Sequence, residues 1–277
     1  MARLLCSAAG KLTASGAAAA FCVGAASLFS STRAAWCLVA FYLASSALTK
    51  VAAEAKGEIA DEFEDKAGRN AVQVLCNSLI PTAAAVALGV LSGWVELPVG
   101  QATAQLTSPA SAALWGAVLG YYACCCGDTW ASEVGVLSPE QPRLITTLRP
   151  VRAGTNGGVT LLGMGMSVLG GTFIGAVFVI ASLLTPSAVV GDVVAQAGRL
   201  VGLGTAAGLA GSLIDSVLGA TVQFTGFDMK RQKITGTQGE DVAHISGLPL
   251  LDNNAVNLVS ATCTAALCAA ACVRLFA

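Results

Sequence analysis

The chain has 277 residues, of which 55% are hydrophobic and 11% are charged, and its formal net charge is −1. This composition is too apolar for a soluble domain of that size and indicates a polytopic membrane protein. About seven stretches are long enough to cross a bilayer core of about 30 Å, which predicts an all-α helical bundle. We expect residues 1–277 to form one integral membrane domain. In chain order the predicted spans are Leu12–Ser30, Ala34–Thr49, Val72–Gly93, Pro109–Cys126, Val159–Leu184, Leu200–Val222 and Ala255–Leu275.

Charge is distributed very unequally between the two sides of this predicted bundle. Of the 15 Lys and Arg residues, only Arg33, Arg199 and Arg274 lie outside the N-terminus and the loops after spans two, four and six. Basic residues in short loops stay on the cytosolic side, so we expect the N-terminus to be cytosolic or stromal. Of the 16 carboxylates, only Glu96 and Asp192 lie on the opposite side, which indicates a functional polar face. The endoplasmic reticulum and the plastid envelope both fit this topology.

The segment between spans two and three, Lys50–Arg69, combines helix-forming residues with apolar side chains at four-residue intervals. It fits either an amphipathic helix on the membrane surface or a solvated linker. Within the spans, the glycine pairs Gly116/Gly120, Gly171/Gly175 and Gly204/Gly208 are each four residues apart. Such pairs let helix backbones approach closely, and they predict packing within one compact bundle.

A first polar cluster follows the predicted end of span four, in the sequence GDTWASE. Asp128 and Glu133 have Thr129 and Ser132 between them. These hard oxygen ligands suit Mg²⁺ that carries nucleotide phosphates. The alternative is that Asp128 is an ordinary helix cap.

A second cluster combines three arginines with the Gly-rich turn that opens span five. Guanidinium groups can bind phosphate oxygens in pairs, and backbone amides at a helix start form an anion site. The alternative is a basic cytosolic loop with an ordinary turn. The residues concerned are Arg143, Arg149, Arg152, Thr155, Asn156, Gly157 and Gly158.

Two further clusters lie inside or at the start of predicted spans. Asp215 lies well within span six, where a charge costs about 2.5 kcal/mol or more, so it is a functional candidate. Span seven begins with Asp252 and the asparagines Asn253, Asn254 and Asn257. Asp252 fits a helix cap, but a cap does not require three asparagines. We therefore predict that Asp128, Asp215 and Asp252 line one polar site between the helices.

Taken together, these motifs resemble the transmembrane protein 19 family, also described as domain of unknown function 92. The matching segments include FYLASSALTK, GDTWASEVGVLS, PRLITT, GTNGGVT, GSLIDSVLGATVQ and LDNNAVNL, in the family's order over nearly the whole chain. The family includes the plant phytyl-phosphate kinase. The resemblance therefore implies a multi-pass membrane kinase that transfers a phosphoryl group from a nucleoside triphosphate, with CTP favoured, to an isoprenoid monophosphate.

The resemblance also implies roles for individual residues. Mg²⁺ would be the cofactor, on carboxylates drawn from Asp128, Glu133, Asp215 and Asp252. Phosphate binding would involve Lys50, Arg143, the GTNGG turn, Gln223 and the asparagines of span seven, and the basic loop itself adds Arg149 and Arg152. The partners would be a membrane lipid and a nucleoside triphosphate, with no nucleic acid. A nucleotidyltransferase acting on a lipid phosphate and a small-solute or lipid transporter are the alternatives.

Overall fold

The structure is a computed structural model that describes residues 12–56, 68–96, 108–185 and 188–276. Seven α-helices account for most of these described residues. They are α1 (Ala14–Ser30), α2 (Thr32–Lys56), α3 (Ala71–Ser92), α4 (Pro109–Gly135), α5 (Leu161–Leu183), α6 (Val190–Val222) and α7 (Asn253–Phe276). By length and composition, α2 to α7 can each cross a membrane, whereas α1 is an apolar helix of 17 residues. The helical membrane fold predicted from the sequence is confirmed.

Two helix boundaries differ from the prediction, and the first of them matters for the site. α4 continues past Cys126 to Gly135, so Asp128 and Glu133 lie within this helix and not after it. α6 begins at Val190, ten positions before the expected Leu200. The added residues of α4 are mostly half-buried by neighbouring elements, whereas most of those added at the start of α6 are exposed and only Val193 is buried among residues 190–199. Of the Lys50–Arg69 segment, α2 includes the first residues, and 57–67 lie outside the described residues.

α4 is the central helix of the bundle and packs against α2, α3, α5, α6 and α7. Its middle is apolar around its whole circumference, and Tyr121, Tyr122 and the three consecutive cysteines Cys124, Cys125 and Cys126 are buried there. A helix that is apolar on every face is expected to be buried on every face. The position of α4 places its polar C-terminal turns in the middle of one end of the bundle.

The glycine pairs allow the central helices to approach at backbone distance. A β-carbon added to Gly208 of α6 would lie 2.6 Å from the Cα atom of Gly171 on α5. One added to Gly116 of α4 would lie 2.6 Å from the carbonyl oxygen of Cys268 on α7. The packing role predicted for these pairs is therefore confirmed, since it brings α6 close against α5 and α4 close against α7.

The loops after α4 and α6 contain short strands that the sequence analysis did not anticipate. β1 (Arg143–Leu144) pairs with β2 (Gly158–Val159), while β3 (Thr225–Asp228), β4 (Lys233–Thr235) and β5 (Val242–Ser246) form an antiparallel sheet in the order β4-β3-β5. The two loops contact each other, because the backbone amide of Asn156 donates to Thr225 Oγ1 at 3.3 Å. Together they cover one end of the bundle.

The opposite end of the bundle contains a buried ion pair. Arg33, at the start of α2, is 1% exposed, and its Nε lies 2.9 Å from Oε1 of Glu96. The guanidinium group also lies 4.8 Å from the ring centre of Trp115. Glu96 accepts further hydrogen bonds from Ser31 Oγ and from the backbone amide of Thr32. This carboxylate therefore joins the segment after α3 to the turn between α1 and α2.

We expect Glu96→Gln to lower the free energy of unfolding by about 1–3 kcal/mol, because it weakens hydrogen bonds to a charged group. Burial alone would raise the pKa of Glu96, but Arg33 and the hydrogen bonds lower it overall. The stabilisation is therefore present above the unfolded-state pKa of about 4.3 and is lost as the pH falls through the lower folded-state value. Thermal unfolding of the wild type and Glu96→Gln in detergent, between neutral and acidic pH, measures this loss of stability. If both proteins lost the same stability in acid, the stabilising role of the Glu96 carboxylate would be contradicted.

Candidate functional site

A cavity of about 930 Å³ lies at the end of the bundle where α2, α4 and α6 finish and α3, α5 and α7 begin. The loops after α4 and α6 contribute to its walls. Its polar lining includes most of the residues that the sequence analysis selected. They are Asp128, Thr129, Ser132, Glu133, Thr155, Asn156, Gly157, Gly158, Asp215, Gln223, Asn253, Asn254 and Asn257.

Asp128 of α4 and Asp215 of α6 are two carboxylates in this polar lining. The two carboxylates are close enough for each to act on the charge of the other. Ser212 Oγ donates to Asp128 Oδ1 at 3.1 Å, and Ser260 Oγ donates to Asp215 Oδ2 at 2.8 Å. Two like charges in a half-buried site repel each other, and either a proton on one carboxyl group or a bound cation relieves that repulsion.

α7 presents a polar face to Asp215. Asn253, Asn257 and Ser260 are spaced by four and three residues, which places them on one side of the helix. With its amide oriented to satisfy both neighbours, Asn257 donates to Asp215 Oδ2 at 3.2 Å and to the backbone oxygen of Asn253 at 3.3 Å. Gln223 Nε2 donates to Asn253 Oδ1 at 3.4 Å. The first turns of α7 thus supply the side chains of Asn257 and Ser260, which hold the Asp215 carboxylate in position.

The cavity also has basic residues that sequence reasoning did not select as site residues. Among the described residues that line it, Arg69 and Lys233 carry positive charge. Arg69 Nη1 donates to Ser46 Oγ at 3.2 Å, and its guanidinium lies 5.8 Å from the ring centre of Tyr42. Both residues lie in loops with several other basic residues, so only the tertiary structure distinguishes them.

The GTNGG turn lies in the cavity wall, but its backbone amides are largely used within the protein. The amides of Thr155 and Gly158 donate to Arg152 and Thr155 carbonyls, and that of Asn156 donates to Thr225. Gly157 has a φ of +76°, and a β-carbon there would lie 2.5 Å from that of Ala220. The predicted amide cradle for phosphate is therefore corrected to a turn that packs the loop after α4 against α6.

Five selected residues, all within the described part of the chain, do not line the cavity. They are Lys50, Arg143, Arg149, Arg152 and Asp252. Lys50 is exposed, because neighbouring residues on a helix point about 100° apart and Thr49 faces the cavity. Arg143 Nη1 donates to the carbonyl oxygen of Leu148, and Arg149 is exposed.

Arg152 and Asp252 have other contacts. The guanidinium of Arg152 lies 4.0 Å from the ring centre of Phe227 and lines a second cavity of about 400 Å³ between the two loops. Asp252 Oδ1 accepts from the backbone amide of Ala255 at 2.8 Å, so this carboxylate caps α7. The prediction that Asp252 would line the same cavity as Asp128 and Asp215 is wrong, and its capping alternative is correct.

The donor set can be compared with the requirements of Mg²⁺. Among the described residues, no three His, Cys, Asp or Glu side chains form a metal-binding group. Mg²⁺ commonly binds one or two carboxylates and takes its other ligands from water and substrate phosphates. Asp128 and Asp215 satisfy that smaller requirement. Glu133 lines the cavity separately and accepts from Thr49 Oγ1 at 3.0 Å.

Comparison with known proteins identifies the family. The model of the family described as "Integral membrane protein DUF92" matches residues 2–265. The chain belongs to this family. The resemblance drawn from the sequence motifs is therefore confirmed.

Two relatives extend this comparison. The chain is 46% identical to Protein PGR of Arabidopsis thaliana over 239 residues, which cover 86% of this chain and 81% of the relative. It is 31% identical over 189 residues to an uncharacterized membrane protein of Methanocaldococcus jannaschii, covering 68% and 65% of the two chains. No solved structure matches the chain significantly. The names of these relatives specify no reaction.

Proposed function

We propose that the protein is a prenyl-phosphate kinase that transfers a phosphoryl group from a nucleoside triphosphate, with CTP favoured, to a membrane-embedded isoprenoid monophosphate. The observation that carries this proposal is the pairing of Asp128 and Asp215 in one cavity that has both polar and apolar walls. The polar wall suits phosphates and a cation, and the apolar wall suits a hydrocarbon chain. The motif resemblance to the family of the phytyl-phosphate kinase supports the same reaction.

The reaction requires alignment and charge stabilisation more than covalent chemistry by the protein. An oxygen of the acceptor phosphate forms a bond to the γ-phosphorus, and the bond from that phosphorus to the β,γ-bridging oxygen breaks. The nucleoside diphosphate leaves with the electron pair. The acceptor is already an anion, so the cavity does not need a strong general base.

The chain's own residues have distinct roles in this proposal. Asp128 and Asp215 would hold Mg²⁺, which when bound neutralises the charge that develops on the phosphates. Ser212, Ser260 and Asn257 orient the two carboxylates through the hydrogen bonds described above. Arg69 and Lys233 bring positive charge to the same cavity and would bind phosphate oxygens.

The proposal is tested with purified protein in detergent or nanodiscs, Mg²⁺ and phytyl monophosphate, with CTP, ATP, GTP and UTP supplied separately. We expect phytyl diphosphate and the matching nucleoside diphosphate in equal amounts. Pyrophosphate and a nucleotidyl lipid would instead identify a nucleotidyltransferase. Flux of the lipid or a solute across sealed vesicles without nucleotide turnover would identify a transporter. Folded protein that turns over none of the four nucleotides with several prenyl phosphates would overturn the kinase.

A further inference from the structure

We propose that the apolar part of the cavity, between α1 and α2, is a groove for the acceptor's prenyl chain and that Gly24 determines the chain length it accepts. This inference rests on the proposed function and adds the location of the lipid tail and a specificity-determining residue. The apolar groove is defined by Ala20, Val23, Gly24, Leu38, Val39 and Phe41.

The groove is continuous with the carboxylate site, because the same cavity is lined by Asp128 and Asp215. At the polar end, Thr49 of α2 donates to Glu133 of α4, and Asp128 lies five residues before Glu133, about 8 Å further into the bundle along α4. Leu38 of α2 also lines the cavity, about 17 Å from Thr49 along the helix axis, so the groove extends about 9 Å beyond the level of the carboxylates. A prenyl chain whose phosphate lies at the carboxylate site would therefore extend from there past the level of Leu38, towards the bilayer mid-plane.

One wall of the groove is open towards the surroundings of the bundle. Val39 lines the cavity, yet 47% of its surface is exposed. Nearby on α1, Phe21 is 76% exposed and is not part of the buried core. In a bilayer these apolar surfaces face lipid, so an isoprenoid can reach the groove laterally without leaving the hydrocarbon. Its polar headgroup then meets the carboxylate site from the membrane side.

Gly24 is the position at which the groove can be shortened with least damage to packing. It lines the cavity, and a β-carbon added to it meets no atom within 4 Å. A larger side chain there therefore occupies groove volume without displacing a neighbouring helix. Ala20 lies one turn nearer the polar end on the same helix and also lines the cavity. A large side chain at Ala20 should shorten the groove further.

The test compares two substrates of different length. Phytyl monophosphate has four isoprene units, and geranyl monophosphate has two. We expect Gly24→Phe to lower kcat/KM for the phytyl substrate at least about tenfold (about 1.4 kcal/mol) and for the geranyl substrate less than about threefold. Ala20→Phe should impair both substrates. The control is Gly198→Phe on α6, where an added β-carbon also meets nothing but no cavity is lined, and it should leave the ratio unchanged.

Thermal unfolding with phytyl monophosphate and no nucleotide separates the groove from the kinase, since a ligand that binds the folded state raises Tm. We expect the lipid to raise Tm of the wild type and of Gly198→Phe, and to raise that of Gly24→Phe much less. If the wild type is active and Gly24→Phe has the same ratio of kcat/KM for the two substrates, the proposed groove is refuted and the proposed kinase activity stands. If no nucleotide is turned over but the Tm shifts follow this pattern, the proposed groove stands and the proposed kinase activity is refuted. Absence of any Tm shift in the wild type overturns the groove.

Discussion

Asp128→Asn is expected to lower kcat for phytyl monophosphate by about 10²–10³-fold, which corresponds to the loss of about 3–4 kcal/mol of transition-state stabilisation. The substitution keeps the size of the side chain and the oxygen that accepts from Ser212, but it removes the charge that would hold Mg²⁺. Steady-state kinetics over a range of Mg²⁺ concentrations measure the effect. We expect the Mg²⁺ concentration needed for half-maximal rate to rise as well.

Stability provides a second readout that separates catalysis from folding. Asp128 and Asp215 act on each other's charge, so an uncharged amide at position 128 relieves a repulsion in the cation-free protein. We therefore expect the Tm of Asp128→Asn without Mg²⁺ to be equal to or higher than that of the wild type. Functional sites commonly have this trade-off between stability and activity. A large fall in Tm together with lost turnover would indicate a structural role instead.

Asp252→Asn is a matched control for this experiment. It makes the same chemical change at the same end of the bundle, outside the cavity lining. Asp and Asn are about equally good N-caps, so the cap on α7 should be retained. We expect turnover close to that of the wild type. If Asp128→Asn were fully active, the proposed kinase activity would stand, but Asp128 would not be one of its metal ligands.

The sequence predicted those features of the fold that depend on local pattern. Hydropathy located the spans, and the spacing of Gly116, Gly120, Gly171 and Gly208 identified helix faces that pack closely. Asp215 was recognisable because a charge within an apolar span requires a compensating environment. These signals lie within single helices, so they can be interpreted without knowing how the helices are arranged.

Other features of the site depend on which helices and loops become neighbours. Arg143, Arg149 and Arg152 were selected because they precede a Gly-rich turn, but Arg69 and Lys233 line the cavity instead. Basic residues are frequent in all the loops on this side, and composition does not indicate which of them point inward. The sheet formed by β3, β4 and β5 was not predicted for a different reason. Its strands have only three to five residues, so they give little periodic signal in the sequence. Ser260 was detectable in principle, since it follows Asn257 by three positions on the same helical face.

Asp215→Asn is expected to lower kcat by about the same 10²–10³-fold as Asp128→Asn, because the two carboxylates are proposed to bind one ion. The double variant decides whether they act together. If one cation requires both carboxylates, removing the second costs little once the first is lost, and Asp128→Asn/Asp215→Asn should be nearly as active as either single variant. The same assay with Mg²⁺ measures all four proteins of this cycle.

Independent roles would give a different result, since losses from separate interactions multiply. The double variant would then be about 10⁴–10⁶-fold less active than the wild type, and the proposal of a shared metal site would be wrong.

Ser260→Ala tests whether the hydrogen bond that orients Asp215 contributes to turnover. Ser260 donates to Asp215 at 2.8 Å and is not itself a proposed metal ligand. Loss of one hydrogen bond to a charged group corresponds to about 1.5–3 kcal/mol, so Ser260→Ala should reduce turnover less than Asp215→Asn. In the Asp215→Asn background, Ser260→Ala should have little further effect, because the carboxylate that Ser260 orients is already absent.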